Sequence, residues 1–331
     1  MKELIRKLVE AFGPSGTEDA VRELIAAEIK PHVDELRTDA LGNLIALKKG
    51  NGKGRKIMLA GHMDELGLMV THIDDKGFLR FSTIGGIQPH VLASARVVFA
   101  DGVMGVVGSE RLEELKDLKH EKLFIDIGAK DKAAAEAKVS IGDVCGYWRK
   151  LDDLGDRLVA KAMDDRIGCA VMIEAAKRLK HGPNDVYFVF TVQEEVGLRG
   201  ARTAAYAVDP DFGLAFDVTR TGDTPKTITM DVAVGKGAAI KVKDSSMVTH
   251  PMVKNHLVAT AEKHKIPYQL EVLEAGGTDA GAIHLTKAGV PSGTISIPCR
   301  YIHTPNEMVD IGDVEACVQL CVAVCGSQLP V

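Results

Sequence analysis

Lys56-Ile57-Met58-Leu59-Ala60-Gly61-His62-Met63-Asp64-Glu65 is the stretch on which the fold turns. A short apolar run reads as a strand, and it passes at Gly61 straight into a cluster of polar, chemically competent side chains. The same arrangement recurs down the chain. Val186–Val192 leads into Gln193-Glu194-Glu195-Val196-Gly197, Leu214-Ala215-Phe216 into Asp217, and Gly293–Pro298 into Cys299-Arg300-Tyr301-Ile302-His303. Asp164 and Asp165 add an acidic pair at the junction of a loop and a helix running through Leu179. Further strands are expected at Leu41–Leu47, Ile240–Val242 and Tyr268–Val272, with helices at Met252–His264, Ala280–Lys287 and Asp313–Val324. Strands interleaved with helices predict an α/β sheet covered on both faces.

Between about 66 and 160 the texture changes to short alternating stretches such as Gly67–Ile73, Ala95–Ala100 and Val103–Gly108, punctuated by Asp and Gly turns. This reads as a small all-β unit, with surface helices at Glu110–His120 and Lys130–Lys138. The expected organisation is a catalytic domain in two parts, 1–66 and 162–331, with residues 67–161 inserted between them.

The 331 residues carry a formal net charge of -5, with 46% hydrophobic and 26% charged residues. That balance argues against a nucleic-acid partner, which favours a basic excess. No apolar run reaches the roughly 20 residues that span a bilayer. Glu3, Arg6, Lys7 and Glu10 break up what would be the apolar core of a signal peptide, so the cytoplasm is the expected compartment. Cys317, Cys321 and Cys325 recur every four residues in an apolar helix; the simpler reading is a buried face rather than a thiolate site.

In open α/β sheets the crevice beyond the carboxyl ends of the strands binds ligands, so these strand ends can converge on one pocket. Each piece alone is weak, since an acidic pair commonly caps a helix. Together, carboxylates at this density repel one another unless a cation joins them. Imidazole mixed with carboxylate suits zinc, cobalt or manganese better than calcium or magnesium. His62-x-Asp64 fits a metal-bound imidazole whose other N–H meets a carboxylate. Adjacent Glu194 and Glu195 can supply one ligand and one unligated base. There is no HExxH segment.

Six segments resemble the tetrahedral aminopeptidases, co-catalytic metallopeptidases of glutamyl and leucyl aminopeptidase type, some of which carry endoglucanase names. They are Gly61–Glu65, Ala162–Arg166, Gln193–Gly197, Phe216–Val218, Gly276–Ala280 and Arg300–Pro305, in the family's order and across nearly the whole chain. The resemblance implies a mixed sheet sandwiched by helices, as in zinc exopeptidases, with an inserted small β-barrel-like domain that mediates dimerisation. It implies two divalent metals per subunit, zinc or cobalt, with Asp164 as the bridge. His62 and Asp217 would complete one shell, and Glu195 and His303 the other. Glu194 would be the general base on a metal-bridging water and Asp64 the residue orienting His62. It also implies a cis peptide at Asp164–Asp165 and dimers assembling into a dodecamer. Thr278 and Asp279 match a segment near the family's site, but a helix N-cap is an equally simple reading. The expected activity is release of N-terminal residues from short peptides. The rivals are a deacylase of small N-acyl amino acids on the same scaffold and a non-catalytic scaffold of the same fold.

Overall fold

The computed structural model describes residues 1–329. Its larger unit is an 11-stranded mixed sheet. Along the sheet the order is Glu35–Thr38, Leu44–Lys48, Asp185–Thr191, Lys56–His62, Phe212–Thr219, Ser292–Arg300, Glu307–Asp310, Arg157–Ala160 and Asp152–Asp153. Ala238–Lys243 and Tyr268–Val272 extend it beside Ser292–Arg300. The four central strands are parallel, with Thr191 opposite His62 and Asp217 opposite Ser296. Their carboxyl ends therefore open on the same edge.

Alternation along the central strand gives the two faces different partners. Ile57 and Leu59 join a core with the helices Lys2–Glu10, Asp19–Ile29, Met163–Arg178 and Ile311–Cys325. Met58 and Ala60 pack on the other face against Arg199–Val208 and Ala280–Ile283. The Arg199–Val208 helix had no counterpart in the sequence reading. It buries Gly200, Ala201, Ala204, Ala205 and Val208; the last four recur at helical spacing, but three of them are alanines rather than large apolar residues.

Three expected helices are shorter in the structure, Lys130–Lys138 closing to Lys132–Glu136 among them. Ala280–Lys287 contracts to Ala280–Ile283 and then turns. Glu110–His120 supplies only the 3-10 turns Leu115–Asp117 and His120–Lys122: of its three leucines Leu115 faces solvent and Leu112 and Leu118 are only half-buried, so no buried apolar stripe anchors a helix. Cys317, Cys321 and Cys325 are buried in the main core with free thiols. Among the described residues no helix is long and apolar enough to cross a membrane.

The inserted unit is a closed barrel of six antiparallel strands, Gly67–Ile73, Leu79–Ile84, Leu123–Asp126, Met104–Ser109, Arg96–Phe99 and Val144–Tyr147. It has its own core, including Leu68, Val70, Leu79, Val107 and Ile125. After Tyr147 the chain returns to the large sheet, where Arg157–Ala160 pairs with Glu307–Asp310. Residues 152–160 thus sit in the large sheet, although the sequence reading grouped them with the insertion.

Candidate metal centre

His62 ends the central strand, Glu194 and Glu195 follow Asp185–Thr191, Asp217 lies in Phe212–Thr219, and His303 follows Ser292–Arg300. Asp164 comes from the other direction, at the head of Met163–Arg178. There Asp164 and Asp165 have non-helical backbone angles and are joined by a cis peptide.

The Asp164 carboxylate lies between two imidazoles. One oxygen is 3.0 Å from His62 Nε2 and the other 3.3 Å from His303 Nε2. His303 Nε2 is also 3.5 Å from Glu195, and His62 Nε2 is 3.9 Å from Glu194. Donor atoms of His62, Asp164 and Glu195 lie within 4.8 Å of one another, as do those of His62, Asp165 and Asp217. All six residues singled out around the sequence's strand ends and acidic pair, Glu194 included, converge here.

Both imidazoles are held the same way. His62 Nδ1–H donates to the Asp64 carbonyl at 3.0 Å, and His303 Nδ1–H donates to the Gly86 carbonyl at 2.8 Å. Fixing Nδ1 as the donor leaves each Nε2 turned toward Asp164. Gly86 lies in the barrel unit, so the insertion contributes a backbone group to the centre. The Asp64 carboxylate stands 3.5 Å from His62 Nδ1, longer than a good hydrogen bond. Its nearer partners are the backbone N–H groups of Glu194 at 2.9 Å and Glu195 at 3.2 Å, and the Ser15 hydroxyl at 2.6 Å.

Asp165, although close to the imidazole, is already engaged. Its two oxygens accept from His62 N and Gly168 N, each at 3.1 Å. Asp279 does not cap the short helix that follows it; its Oδ2 accepts from Thr191 Oγ1 at 2.5 Å, and Thr278 Oγ1 is the acceptor for Ala280 N. Glu307 escaped the sequence reading altogether. It is buried and accepts from His303 N at 2.7 Å and Asp164 N at 3.0 Å. A glutamate four residues after His303 was the only available signal.

The electrostatics are those of crowded carboxylates. Burial, then the neighbouring Asp164 charge, pushes Glu195 up to about 7. Burial and Asp164 likewise raise Asp217 well above the carboxylate range. Burial raises Glu194 too, reinforced by Asp217 and Glu195. Burial works against protonation of His303, but Asp164 and Glu195 outweigh it and lift the imidazole to about 10. Glu195 Oε1 is buried without a hydrogen-bond partner. An unsatisfied buried carboxylate oxygen beside two aligned Nε2 atoms and further acids is a donor set that fits divalent cations.

A cleft of about 360 Å³ opens over the centre, lined by Glu194, Asp217, His303 and, farther out, Arg220, Ser246 and Gly277. Fold and site together define an exopeptidase-like hydrolase. The chain belongs to the M42 glutamyl aminopeptidase family, which it matches over residues 42–320. A protein of Acetivibrio thermocellus with a provisional aminopeptidase name is 53% identical, over 98% of each chain. An aminopeptidase from the archaeon Desulfurococcus kamchatkensis superposes with a TM-score of 0.94 at 44% identity, covering 98% of this chain and 94% of its own. The TET1 peptidase of Pyrococcus horikoshii is described as able to assemble into a tetrahedron or a large octahedral shell. It superposes with a TM-score of 0.88 at 35% identity, over 98% of each chain. The chain is accordingly a peptide hydrolase of aminopeptidase type.

Proposed function

We propose that this chain is a dinuclear-metal aminopeptidase that releases N-terminal residues from short peptides, with Glu194 as its general base. The observation that carries the reading is the Asp164 carboxylate, with one oxygen facing His62 Nε2 and the other His303 Nε2. A carboxylate so placed would bridge two ions, zinc or cobalt. His62 and Asp217 would complete one shell, and Glu195 and His303 the other. Bound there, the metals supply Lewis acidity toward the scissile carbonyl and lower the pKa of the attacking water.

The protein's own groups do the rest. Glu194 takes a proton from the attacking water and returns one to the departing amine. Asp64 holds it in place through the two backbone N–H groups, acting on the Glu194–Glu195 pair more directly than on His62. The acidic lining suits a free α-ammonium, and the cleft has room for a short peptide end.

Self-association through the barrel is part of the proposal, with dimers building a dodecamer. Met104, Val106 and Trp148 expose apolar surface on that unit, and the Arg96 guanidinium lies 4.0 Å from the Trp148 ring centre.

Glu194→Gln tests the base. The variant should keep two metals per subunit by elemental analysis and lose about 10²–10⁴-fold in kcat on aminoacyl-nitroanilides. Full activity in the glutamine variant would remove Glu194 from that role.

A further inference from the structure

We propose that Glu307 is a positioning residue for the metal centre, setting the main chain of two ligands, His303 and Asp164, at once. The inference rests on the dinuclear reading above and goes beyond it, since Glu307 touches neither ion nor substrate.

Three observations carry it. The first is the double clamp: Oε1 accepts from His303 N at 2.7 Å and Oε2 from Asp164 N at 3.0 Å. The two residues lie far apart in sequence and reach the site on different elements. One buried carboxylate therefore fixes the separation of the proposed bridge and the imidazole on its far side. One buried carboxyl group that accepts from both N–H groups ties the two main chains to each other and leaves each little freedom.

The second observation is that His303 needs holding. It sits in a loop, its side chain is 33% exposed against 2% for His62, and its φ of 66° lies in the left-handed region. A non-glycine residue there is strained and persists only where the surroundings determine it. The Nδ1–H bond to Gly86 orients the ring, but only Glu307 holds its backbone N–H among the described contacts.

The third is the platform. Glu307 begins the Glu307–Asp310 strand, which pairs on one side with Arg157–Ala160, Ala160 opposite Glu307, and on the other with Ser292–Arg300. The clamp is thus built on the large sheet rather than on the loop it restrains, which is what holding a ligand to a fraction of an ångström requires.

The test is metal titration of the full-length protein against a chromophoric chelator, using zinc and cobalt separately. Glu307→Gln keeps one acceptor oxygen but turns an NH₂ group toward the second N–H, so one clamp fails. The expected result is two sites in the unaltered protein, the one that His303 completes weakened about 10–100-fold in the variant and the other, which shares Asp164, weakened less. Asp313→Asn is the control for a merely structural carboxylate. Asp313 clamps Gly235 N and Gly237 N in the same manner, each at 2.6 Å, away from the site. That variant should lose stability and keep both metal affinities.

If Glu307→Gln does not fold, Glu307→Asp is titrated instead; its carboxylate is one methylene short and should weaken the His303 site most. Two sites of unchanged affinity in whichever variant folds would overturn the positioning role. If the unaltered protein binds fewer than two ions, the dinuclear reading fails, a different outcome from failure of the clamp. A second readout is the kinetic split. Excess metal should restore kcat in the variant toward the unaltered value, whereas a general loss of structure would not respond to metal.

Discussion

Lys161→Met would break a buried ion pair directly behind the catalytic segment, and the cost can be worked from its surroundings. Lys161 Nζ lies 2.8 and 2.7 Å from the two oxygens of Glu65 and also donates to the Ala11 carbonyl at 3.0 Å. The side chains are 4% and 2% exposed. Burial pulls the Lys161 ammonium down despite the favourable Glu65 charge, so the pair as a whole gains little over two solvated ions. The expense lies in removing one member. Methionine fills the volume but leaves Glu65 with Gly13 N at 3.1 Å and an Arg166 nitrogen at 3.5 Å. Arg166 is already committed to the carbonyls of Met63, Leu8, Ala11 and Gly13. Breaking a buried pair costs about 3–5 kcal/mol, and the partial cover from Arg166 places this one near the lower bound, about 3 kcal/mol. The assay is denaturant unfolding of metal-loaded protein, comparing midpoints at constant slope. Glu65→Gln combined with Lys161→Met removes the stranded charge and should recover more than half of the loss. A single-variant cost below about 1 kcal/mol, or additive losses in the double variant, would refute the reasoning.

Two further perturbations probe other parts of the molecule. Arg300 donates two hydrogen bonds to Asp223, at 3.0 and 2.7 Å, and holds its carboxyl at about 2 against an ordinary 3.8. Because the folded value is depressed, the stabilisation is present above about pH 4 and lost as pH falls toward 2. The stability gap between the unaltered protein and Asp223→Asn should therefore close over that window in acid unfolding curves, and a gap that widens there would contradict the pairing. Val106→Glu places a charge on the exposed apolar face of the barrel; light scattering should show a smaller assembly with the subunit still folded, and an unchanged mass would remove that face from the interface.

Much of the proposed centre was legible in the sequence because all of its proposed ligands but Asp164 sit at or just past the ends of strands, and strand ends are marked locally. The apolar run Ile57–Ala60 reads as a strand from its own residues, and the crevice rule places His62 at its mouth. The same holds for Glu194 and Glu195 after Asp185–Thr191 and for Asp217 near the end of Phe212–Thr219. The inserted barrel announced itself through alternation and turn residues. Arg199–Val208 carries a local mark as well, Ala201, Ala204, Ala205 and Val208 at helical spacing, but one written mostly in alanine.

What the chain determines by itself is thus the α/β class, the inserted β unit and the roster of side chains able to bind metal, all of them properties of short neighbouring stretches. Tertiary structure alone decided how those side chains are held. His303 is oriented by Gly86, 217 positions away, and its backbone meets a carboxylate that also secures Asp164, 143 positions from Glu307. Asp64, placed by sequence beside His62, turned its carboxylate mainly to the backbone of Glu194 and Glu195. The physical reason is the same in each case. Hydrophobic periodicity is written along the chain, whereas a buried polar group takes whatever partner the packed fold brings within 3 Å.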